Sequence, residues 1–251
     1  MIAEALQSLR RSLPEHVQLV AVSKFHPVER LMEAYNAGQR LFGENRPQEL
    51  AAKAPEMPSD VQWHFIGHLQ TNKLKLVLPY VCMVQSVDSM HLLDAIGRWC
   101  QEHEKPMDIL LELHLGAEQT KSGFSEAEIL NIVSKSFRSE ATAPAGAQPA
   151  RVFADRQIRK GLQASGEFEG AAPLVRLRGL MGMATNTDDM AVVEADFARI
   201  EALFLRIKKE HPELEAFDQL SIGMSGDWPL AIRHGATMVR IGTDIFGPRE
   251  Y

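Results

Sequence analysis

Short apolar runs rich in β-branched residues alternate along the chain with longer segments in which apolar residues recur every three or four positions. The first pattern is typical of buried strands and the second of one face of a helix. A charged helical pattern opens the chain, at residues 1–16. Eight strand-like runs follow, at residues 17–23, 40–43, 61–66, 81–85, 108–113, 174–181, 219–222 and 237–241.

This regular alternation of strands and helices predicts the fold class. Parallel neighbouring strands need crossover connections, which helices supply, so the order favours an α/β protein with parallel pairing. Eight such units close into a (β/α)8 barrel, a TIM barrel, and the 251 residues fit a single barrel domain over 1–251. A doubly wound open sheet is the alternative architecture.

One segment, residues 139–173, interrupts the alternation. It is rich in Ala, Gly, Pro and Ser and has a charged middle. Such a composition favours a loop over a packed element. We therefore expect a surface insertion or a flexible loop within the barrel domain, and its role stays open.

Charge and composition exclude several classes of protein. The formal net charge of −6 gives no broad basic face, so we expect no nucleic-acid partner. No run approaches the roughly 18 apolar residues of a membrane span, so we expect no membrane partner. Cys82 and Cys100 lack CxxC spacing, which favours buried free thiols in a reducing compartment. We expect a cytoplasmic protein.

Polar residues gather where the predicted strands end. In a barrel the carboxyl ends of the strands meet on one face, where such proteins place their chemistry. Lys24 ends the first strand, and Glu44 and Asn45 end the second. From position alone, Lys24 is a surface lysine, an ion-pair partner of Glu44, or a nucleophilic amine that forms a Schiff base with a carbonyl ligand. Because a free lysine has a pKa of about 10.4, the third role needs desolvation or a nearby cation such as Arg240.

Two glycine-containing stretches follow the last two predicted strands, “GMSGD” at 223–227 and “GTDIFG” at 242–247. Backbone N–H groups at the start of a helical turn bind phosphate, and glycines let its oxygens approach closely. Barrels frequently build a phosphate site from these two loops. Tight turns would also account for either glycine pair alone, but the two together predict phosphate binding.

Two histidines, His64 and His114, raise the question of a metal site. No HxH or HExxH spacing accompanies them, and histidines that make hydrogen bonds in the core are the commoner case. We expect no metal site. Lys121, in “EQTKSGF”, is interpreted as a solvated loop lysine.

Several motifs are long enough to be specific to one family. Together they run from about residue 17 to residue 251, interrupted by 139–173. They are “VAVSKFHPVE”, “FGENRPQEL”, “WHFIGHLQTNK”, “QSVDS”, “TKSGF”, “RGLMGMAT” and “LSIGMSGDWPLAIRHGATMVRIGTDIFGPREY”. Through these motifs the chain resembles the YggS/PROSC family of pyridoxal 5′-phosphate (PLP) homeostasis proteins.

The resemblance implies a fold, a ligand and a set of contacts. The family has a barrel like the N-terminal domain of alanine racemase, without that enzyme's C-terminal β-domain. It holds PLP as a Schiff base on the lysine of its “VSK” motif, which is Lys24 in this sequence. The implied PLP contacts are Ser225, Gly242 and Thr243 for the phosphate, Arg240 by the pyridine nitrogen, and Asn45 beside the ring.

The resemblance also implies a function, in intracellular PLP (vitamin B6) and amino-acid homeostasis as a carrier or buffer. PLP enzymes usually sustain a protonated pyridine with an acidic partner, whereas a charged arginine disfavours that proton. With Arg240 in that place and no clear second acid–base residue, we expect no robust catalysis and assign no catalytic residue. The alternatives are a PLP-dependent amino-acid racemase or decarboxylase, and a Schiff-base aldolase with His64 in its relay.

A carrier also implies partners. PLP-dependent apoenzymes are the candidate recipients of the PLP that it releases. For the chain itself we expect a monomer or a weak homodimer.

Overall fold

A computed structural model describes residues 1–116, 122–138 and 174–248. Its strands form a closed barrel in sequence order, each parallel to the next, and the eighth pairs with the first. The barrel prediction is thus confirmed over the open sheet. The strands are β1 Gln18–Val22, β2 Leu41–Glu44, β3 Gln62–Phe65, β4 Met83–Val87, β5 Met107–Leu113, β6 Val175–Gly182, β7 Gln219–Ser221 and β8 Met238–Ile241.

The helices lie between the strands, as predicted. One segment differs from its sequence pattern: “LQTNKLKLVL” predicts one helix over residues 69–78, whereas the structure has a short 3-10 helix, Thr71–Lys73, and one turn of α-helix. Another 3-10 turn spans Ala54–Glu56. The α-helices are α1 Ile2–Ser12, α2 Val28–Asn36, α3 Pro47–Lys53, α4 Leu74–Val77, α5 Met90–Glu102, α6 Glu126–Arg138, α7 Met190–Glu210, α8 Trp228–Arg233 and α9 Thr243–Phe246.

Helix α1 belongs to the outer ring of the barrel. Its apolar side chains Ile2, Leu6 and Leu9 are buried, and it contacts α2 and α9. The start of α6 carries a capping box: Ser125 N donates to Glu128 Oε2 at 2.8 Å, and Glu128 N donates to Ser125 Oγ at 3.3 Å.

The barrel interior has an apolar floor and a polar layer above it. Alternate residues of a strand face the same side, so the residues two positions beyond the floor also point inward. The floor consists of Val20, Met83, Leu110, Met181 and Met238. The polar layer contains His64, Gln85, Ser221 and Arg240, all of them buried.

Two further expectations have a structural outcome. Within the described ranges, no helix combines the length and the apolar composition needed to cross a membrane. Both cysteines are free thiols, and Cys100 is buried, but the expectation that Cys82 is buried was wrong, since it is exposed. Residues 139–173 and Lys121 lie outside the described residues, so the predictions made for them stay untested.

Candidate functional site at the barrel mouth

The predicted site residues come together at the carboxyl ends of four neighbouring strands. Lys24 follows β1 and Asn45 follows β2. Ser225 lies in the loop after β7, and Gly242 and Thr243 follow β8. These strands are consecutive in the closed barrel, because β8 pairs with both β7 and β1 and β1 pairs with β2. The five residues therefore line one side of the barrel mouth.

Strand register brings Lys24 and Asn45 to the ends of two paired neighbouring strands. Val22 pairs with Gly43, and each of the two site residues lies two positions further along its strand direction. Gly43 allows a close approach of the two strands, because a Cβ atom there would lie 2.8 Å from Val20 Cγ1. A larger residue at position 43 would displace the side chains that support the mouth from below.

Lys24 itself lies in a tight turn and is half-buried. Ser23 N still donates to Gly43 O at 3.0 Å, and His26 N donates back to Ser23 O at 3.2 Å. Phe25 has a φ of +66°, in the left-handed region that residues other than glycine rarely adopt. Such a conformation persists only where the surrounding structure imposes it.

A buried ion cluster lies behind this turn. Lys53 Nζ donates to Glu44 Oε1 and to Glu49 Oε2, both at 2.7 Å. The Glu44 side chain therefore lies between β2 and α3, against Lys53. Burial raises the pKa of Glu44, although Lys53 and Ser23 counteract the effect. Lys53 thus fills the role that the sequence offered to Lys24, that of ion-pair partner to Glu44.

The loop after β7 is closed by its own aspartate. Asp227 Oδ1 accepts a hydrogen bond from Met224 N at 2.5 Å, and Asp227 N donates to Met224 O at 3.1 Å. Ser225 lies at the tip of this turn, half-buried, and α8 begins immediately after it. Burial raises the pKa of Asp227. The turn is therefore held in shape by contacts that leave Ser225 at the mouth.

The loop after β8 requires a glycine. A Cβ atom at Gly242 would lie 3.2 Å from Val22 O, a backbone atom of the neighbouring strand. Gly242 also caps the single-turn helix α9, which begins at the exposed Thr243. The first N–H groups of a helix have no acceptor inside it, so this turn offers backbone donors beside Lys24.

Arg240 lies below the mouth, in the buried polar layer. Its Nη1 atom donates to Ser221 O at 2.8 Å and to Ser221 Oγ at 2.6 Å, and Nη2 donates to Gly182 O at 2.9 Å. These bonds use three of the five N–H groups of a guanidinium. Burial lowers the pKa of Arg240 to about 10, while Glu112 and Asp227 stabilise its charge. The side chain is therefore a fixed cation at neutral pH.

A series of hydrogen bonds, each donated from one residue to the next, runs from Arg240 to His64 and supports Arg240. Ser221 Oγ accepts a hydrogen bond from Arg240 Nη1 and donates one to Gln85 Oε1 at 2.7 Å. Gln85 Nε2 then donates to His64 Nδ1 at 2.8 Å. Burial lowers the pKa of His64 to about 3, so the ring is neutral and carries its proton on Nε2. The interpretation of His64 as a hydrogen-bonded core histidine is confirmed.

Three features of the mouth suit an anionic ligand that also donates a hydrogen bond, as PLP would. Within the described part of the chain, Oδ1 of Asn45 is buried without a hydrogen-bond partner, at a cost of about 1–3 kcal/mol. A ligand donor would remove that cost. Gly242 has no side chain to fill the space next to Val22 O, so this side of the mouth stays open. Arg240 supplies a buried positive charge beneath the opening.

Known proteins are similar to this chain in sequence and in fold. The family model of the alanine racemase N-terminal domain matches residues 1–156. The pyridoxal phosphate homeostasis protein of Pasteurella multocida (strain Pm70) is 35% identical over 254 residues, which cover 100% of this chain and 94% of that protein. The chain belongs to the family of pyridoxal phosphate homeostasis proteins. The resemblance inferred from the sequence motifs is confirmed.

Two solved structures of PipY from Synechococcus elongatus PCC7942 are similar to this family member. The structure without PLP is 34% identical, covers 98% of this chain and 100% of PipY, and has a TM-score of 0.80. The structure with PLP bound is 35% identical, with the same coverage and a TM-score of 0.75. The whole described barrel is thus shared with these structures.

Sequence reasoning missed two polar groups of this family member. Glu112 is buried on β5, and burial together with the nearby Asp88 raises the pKa of its carboxyl. Its signal was a single carboxylate in “ILLELHL”, two positions after the inward-facing Leu110. Lys53 was the other omission, and its signal was the four-residue spacing from Glu49 on α3.

Proposed function

We propose that this chain binds PLP as a Schiff base on Lys24 and takes part in intracellular PLP (vitamin B6) and amino-acid homeostasis as a carrier or buffer. The observation that carries the proposal is the half-buried Lys24 at the end of β1, beside the unsatisfied Oδ1 of Asn45. PLP supplies an aldehyde, which condenses with a primary amine and releases water. The lysine therefore meets a reactive carbonyl in a pocket that also receives an aromatic ring.

The remaining contacts follow from the charges and donors at the mouth. Ser225 and the first turn of α9, with Gly242 and Thr243, hold the phosphate through backbone N–H and hydroxyl groups. Arg240 directs its charge toward the pyridine nitrogen from the polar layer below. Asn45 lies beside the ring, where its free oxygen atom accepts a hydrogen bond.

Arg240 is also the reason to propose a carrier instead of an enzyme. Efficient PLP catalysis uses a protonated pyridine as an electron sink. The guanidinium stays charged at neutral pH and cannot accept that proton. The reaction at Lys24 therefore stops at reversible capture, and the captured PLP returns by hydrolysis or by exchange with another amine.

A PLP-dependent amino-acid racemase or decarboxylase is the second candidate, and Glu112 is the observation that favours it. This buried carboxyl has a raised pKa and interacts electrostatically with Arg240. A raised carboxyl pKa suits a general acid. Turnover of an amino acid that depends on both Lys24 and Glu112 would support this alternative.

The proposal is tested by adding PLP to the purified chain and recording its visible spectrum. We expect an imine absorption band that disappears on borohydride reduction, because the C=N bond is reduced to a stable secondary amine that is detected as a mass increase on Lys24. Lys24→Ala abolishes both signals, whereas Lys209→Ala, an exposed lysine of α7, retains them. A wild-type chain that gains no imine band at saturating PLP would overturn the proposal.

The carrier function makes a separate claim about delivery. We propose that PLP-dependent apoenzymes take up the PLP that the chain releases, in the cytoplasm, and that the chain acts as a monomer or a weak homodimer. Mixing the loaded chain with a PLP-free apoenzyme restores enzyme activity if delivery occurs. Sedimentation of the loaded and unloaded chain measures its oligomeric state in the same buffer.

A further inference from the structure

Lys53 connects the two sides of the turn that carries Lys24. Its Nζ atom donates to Ser23 O at 3.0 Å, in addition to its bonds to Glu44 and Glu49. An ammonium group has three N–H donors, so these contacts use all of them. The side chain is 10% exposed, which makes Lys53 a buried structural cation and not a second surface amine.

The two carboxylates extend this restraint to the backbone around Lys24. Glu49 Oε2 also accepts a hydrogen bond from Phe25 N at 2.9 Å. Glu44 Oε1 also accepts one from Ser23 Oγ at 2.7 Å. Both carboxylates are thus shared between the ammonium group of Lys53 and the residues that flank Lys24.

These contacts determine the conformation of Lys24. The Ser23 carbonyl and the Phe25 N–H group belong to the two peptide units on either side of the Lys24 Cα atom. Because each peptide unit is planar, holding both of them sets φ and ψ of Lys24. The same cluster therefore determines the direction in which the Lys24 side chain leaves the backbone.

Phe25 explains why such a restraint is needed. Its left-handed φ of +66° is unfavourable for an aromatic residue. The Arg46 guanidinium lies 4.1 Å from the centre of its ring, and Arg46 Nη1 pairs with Glu49 Oε1 at 3.5 Å. Glu49 thus holds the Phe25 backbone directly and its ring through Arg46.

We propose that Glu49, Lys53 and Glu44 form a positioning cluster that directs the Lys24 amine toward a carbonyl ligand in the barrel mouth. The proposal rests on the proposed function of Lys24. In that reaction the neutral Nζ attacks the aldehyde carbon, a C=N bond forms, and the aldehyde oxygen leaves as water. The cluster exchanges no atoms with the ligand and acts through the backbone alone.

Two variants of Glu49 separate its hydrogen bond from its charge. Glu49→Leu removes the acceptor for Phe25 N, and we expect about tenfold weaker imine formation in a PLP titration, the size expected for one charge-assisted hydrogen bond. Glu49→Gln keeps an acceptor oxygen and recovers most of that loss. Equal losses in the two variants would contradict a role through the Phe25 hydrogen bond.

A second readout needs no PLP. The Phe25 amide proton is protected by Glu49 Oε2, so its hydrogen exchange in the ligand-free chain is expected to be at least about tenfold faster in Glu49→Leu. Glu49 is 23% exposed, and circular dichroism verifies that this variant folds. The double variant Glu44→Gln/Lys53→Met removes both charges of that ion pair, tests the rest of the cluster and is expected to show the same two changes.

Lys105→Met is the matched control. Lys105 Nζ donates to the carbonyl groups of Leu78, Pro79 and Val81, before β4 begins, at the opposite end of the barrel. Its removal lowers the free energy of unfolding but leaves imine formation and Phe25 exchange as in the wild type. An equal effect of Lys105→Met on imine formation would show that general destabilisation explains the loss.

The two proposals fail in different ways. Absence of an imine in the wild-type chain overturns the proposed function, while the Phe25 exchange rates still report whether the cluster holds the turn. A wild-type imine that Glu49→Leu forms with equal affinity, with unchanged Phe25 exchange, overturns the positioning cluster and leaves the proposed function intact.

Discussion

The His26 ring stacks on the Phe246 ring, with 4.8 Å between the ring centres. His26 follows the Lys24 turn, and Phe246 ends the helix that begins at Thr243. Arg30 Nη2 adds a hydrogen bond to Phe246 O at 2.8 Å. The lysine turn and the loop proposed for the phosphate are therefore packed against each other and behave as one unit.

Phe246→Leu tests this connection. The variant keeps an apolar side chain but removes the ring stack, and we expect about threefold weaker PLP binding, within the range measured for aromatic pairs. Pyridoxal, which lacks the phosphate, provides the comparison. Titration of both ligands is expected to show a smaller effect on pyridoxal, and equal effects would argue against a connection through the phosphate loop.

Asn45→Leu is predicted to separate stability from binding. The change removes a buried oxygen atom without a partner, so the free energy of unfolding of the ligand-free chain rises by about 1 kcal/mol. PLP binding weakens at the same time, because the ligand loses the hydrogen-bond acceptor proposed for it. Urea unfolding and PLP titration measure the two effects. Asn36→Leu, at an exposed position of α2, is the control. It is not expected to raise the free energy of unfolding while weakening PLP binding.

Ser221→Ala breaks the chain of hydrogen bonds that ends at Arg240. The variant removes one acceptor of Nη1 and leaves Gln85 Oε1 without its donor. We expect the free energy of unfolding to fall by about 1–3 kcal/mol, as measured by urea unfolding. Ser12→Ala, at an exposed position of α1, is expected to lower it by less than about 0.5 kcal/mol. If both variants lowered the free energy of unfolding by the same small amount, the hydrogen bonds of Ser221 would not be restraining Arg240.

His64 makes the stability of the barrel sensitive to acid. Burial lowers its pKa in the folded chain to about 3, against 6.5 for the ordinary side chain. The unfolded chain therefore binds the proton first as the pH falls, and stability is lost by about 1.4 kcal/mol per pH unit between roughly pH 6 and pH 4. His64→Gln keeps an acceptor for Gln85 and does not titrate. Unfolding curves across this pH range are expected to show a shallower slope for the variant, and identical slopes would contradict the assignment.

The sequence predicted the barrel because its strand and helix periods alternate clearly. Residues 69–78 were the exception among the described helices. Thr71 and Asn72 are poor helix formers, and the structure there is a 3-10 turn followed by one α-helical turn. The apolar pattern of this segment predicted that it is buried, but not that a 3-10 helix precedes the α-helical turn.

The site was predicted as a set of strand ends, and its supporting contacts were not. Glu44 and Asn45 are adjacent in sequence, yet Glu44 pairs with Lys53 of α3 while the Oδ1 atom of Asn45 is buried without a partner. The partner of Glu44 lies nine residues further on, at the end of a helix, and periodicity does not identify such pairs. Glu112 was missed because a carboxyl inside an apolar strand resembles a core position until the barrel closes around it.

The apolar floor of the barrel leaves its interior open at one end only. Val20, Met83, Leu110, Met181 and Met238 pack together inside the barrel, below the polar layer, so a ligand cannot pass through the barrel from end to end. Anything that reaches Lys24 must arrive and depart by the same mouth. For the carrier proposed above, uptake and delivery would therefore take turns, and a donor and a recipient of PLP would compete for one face of the protein.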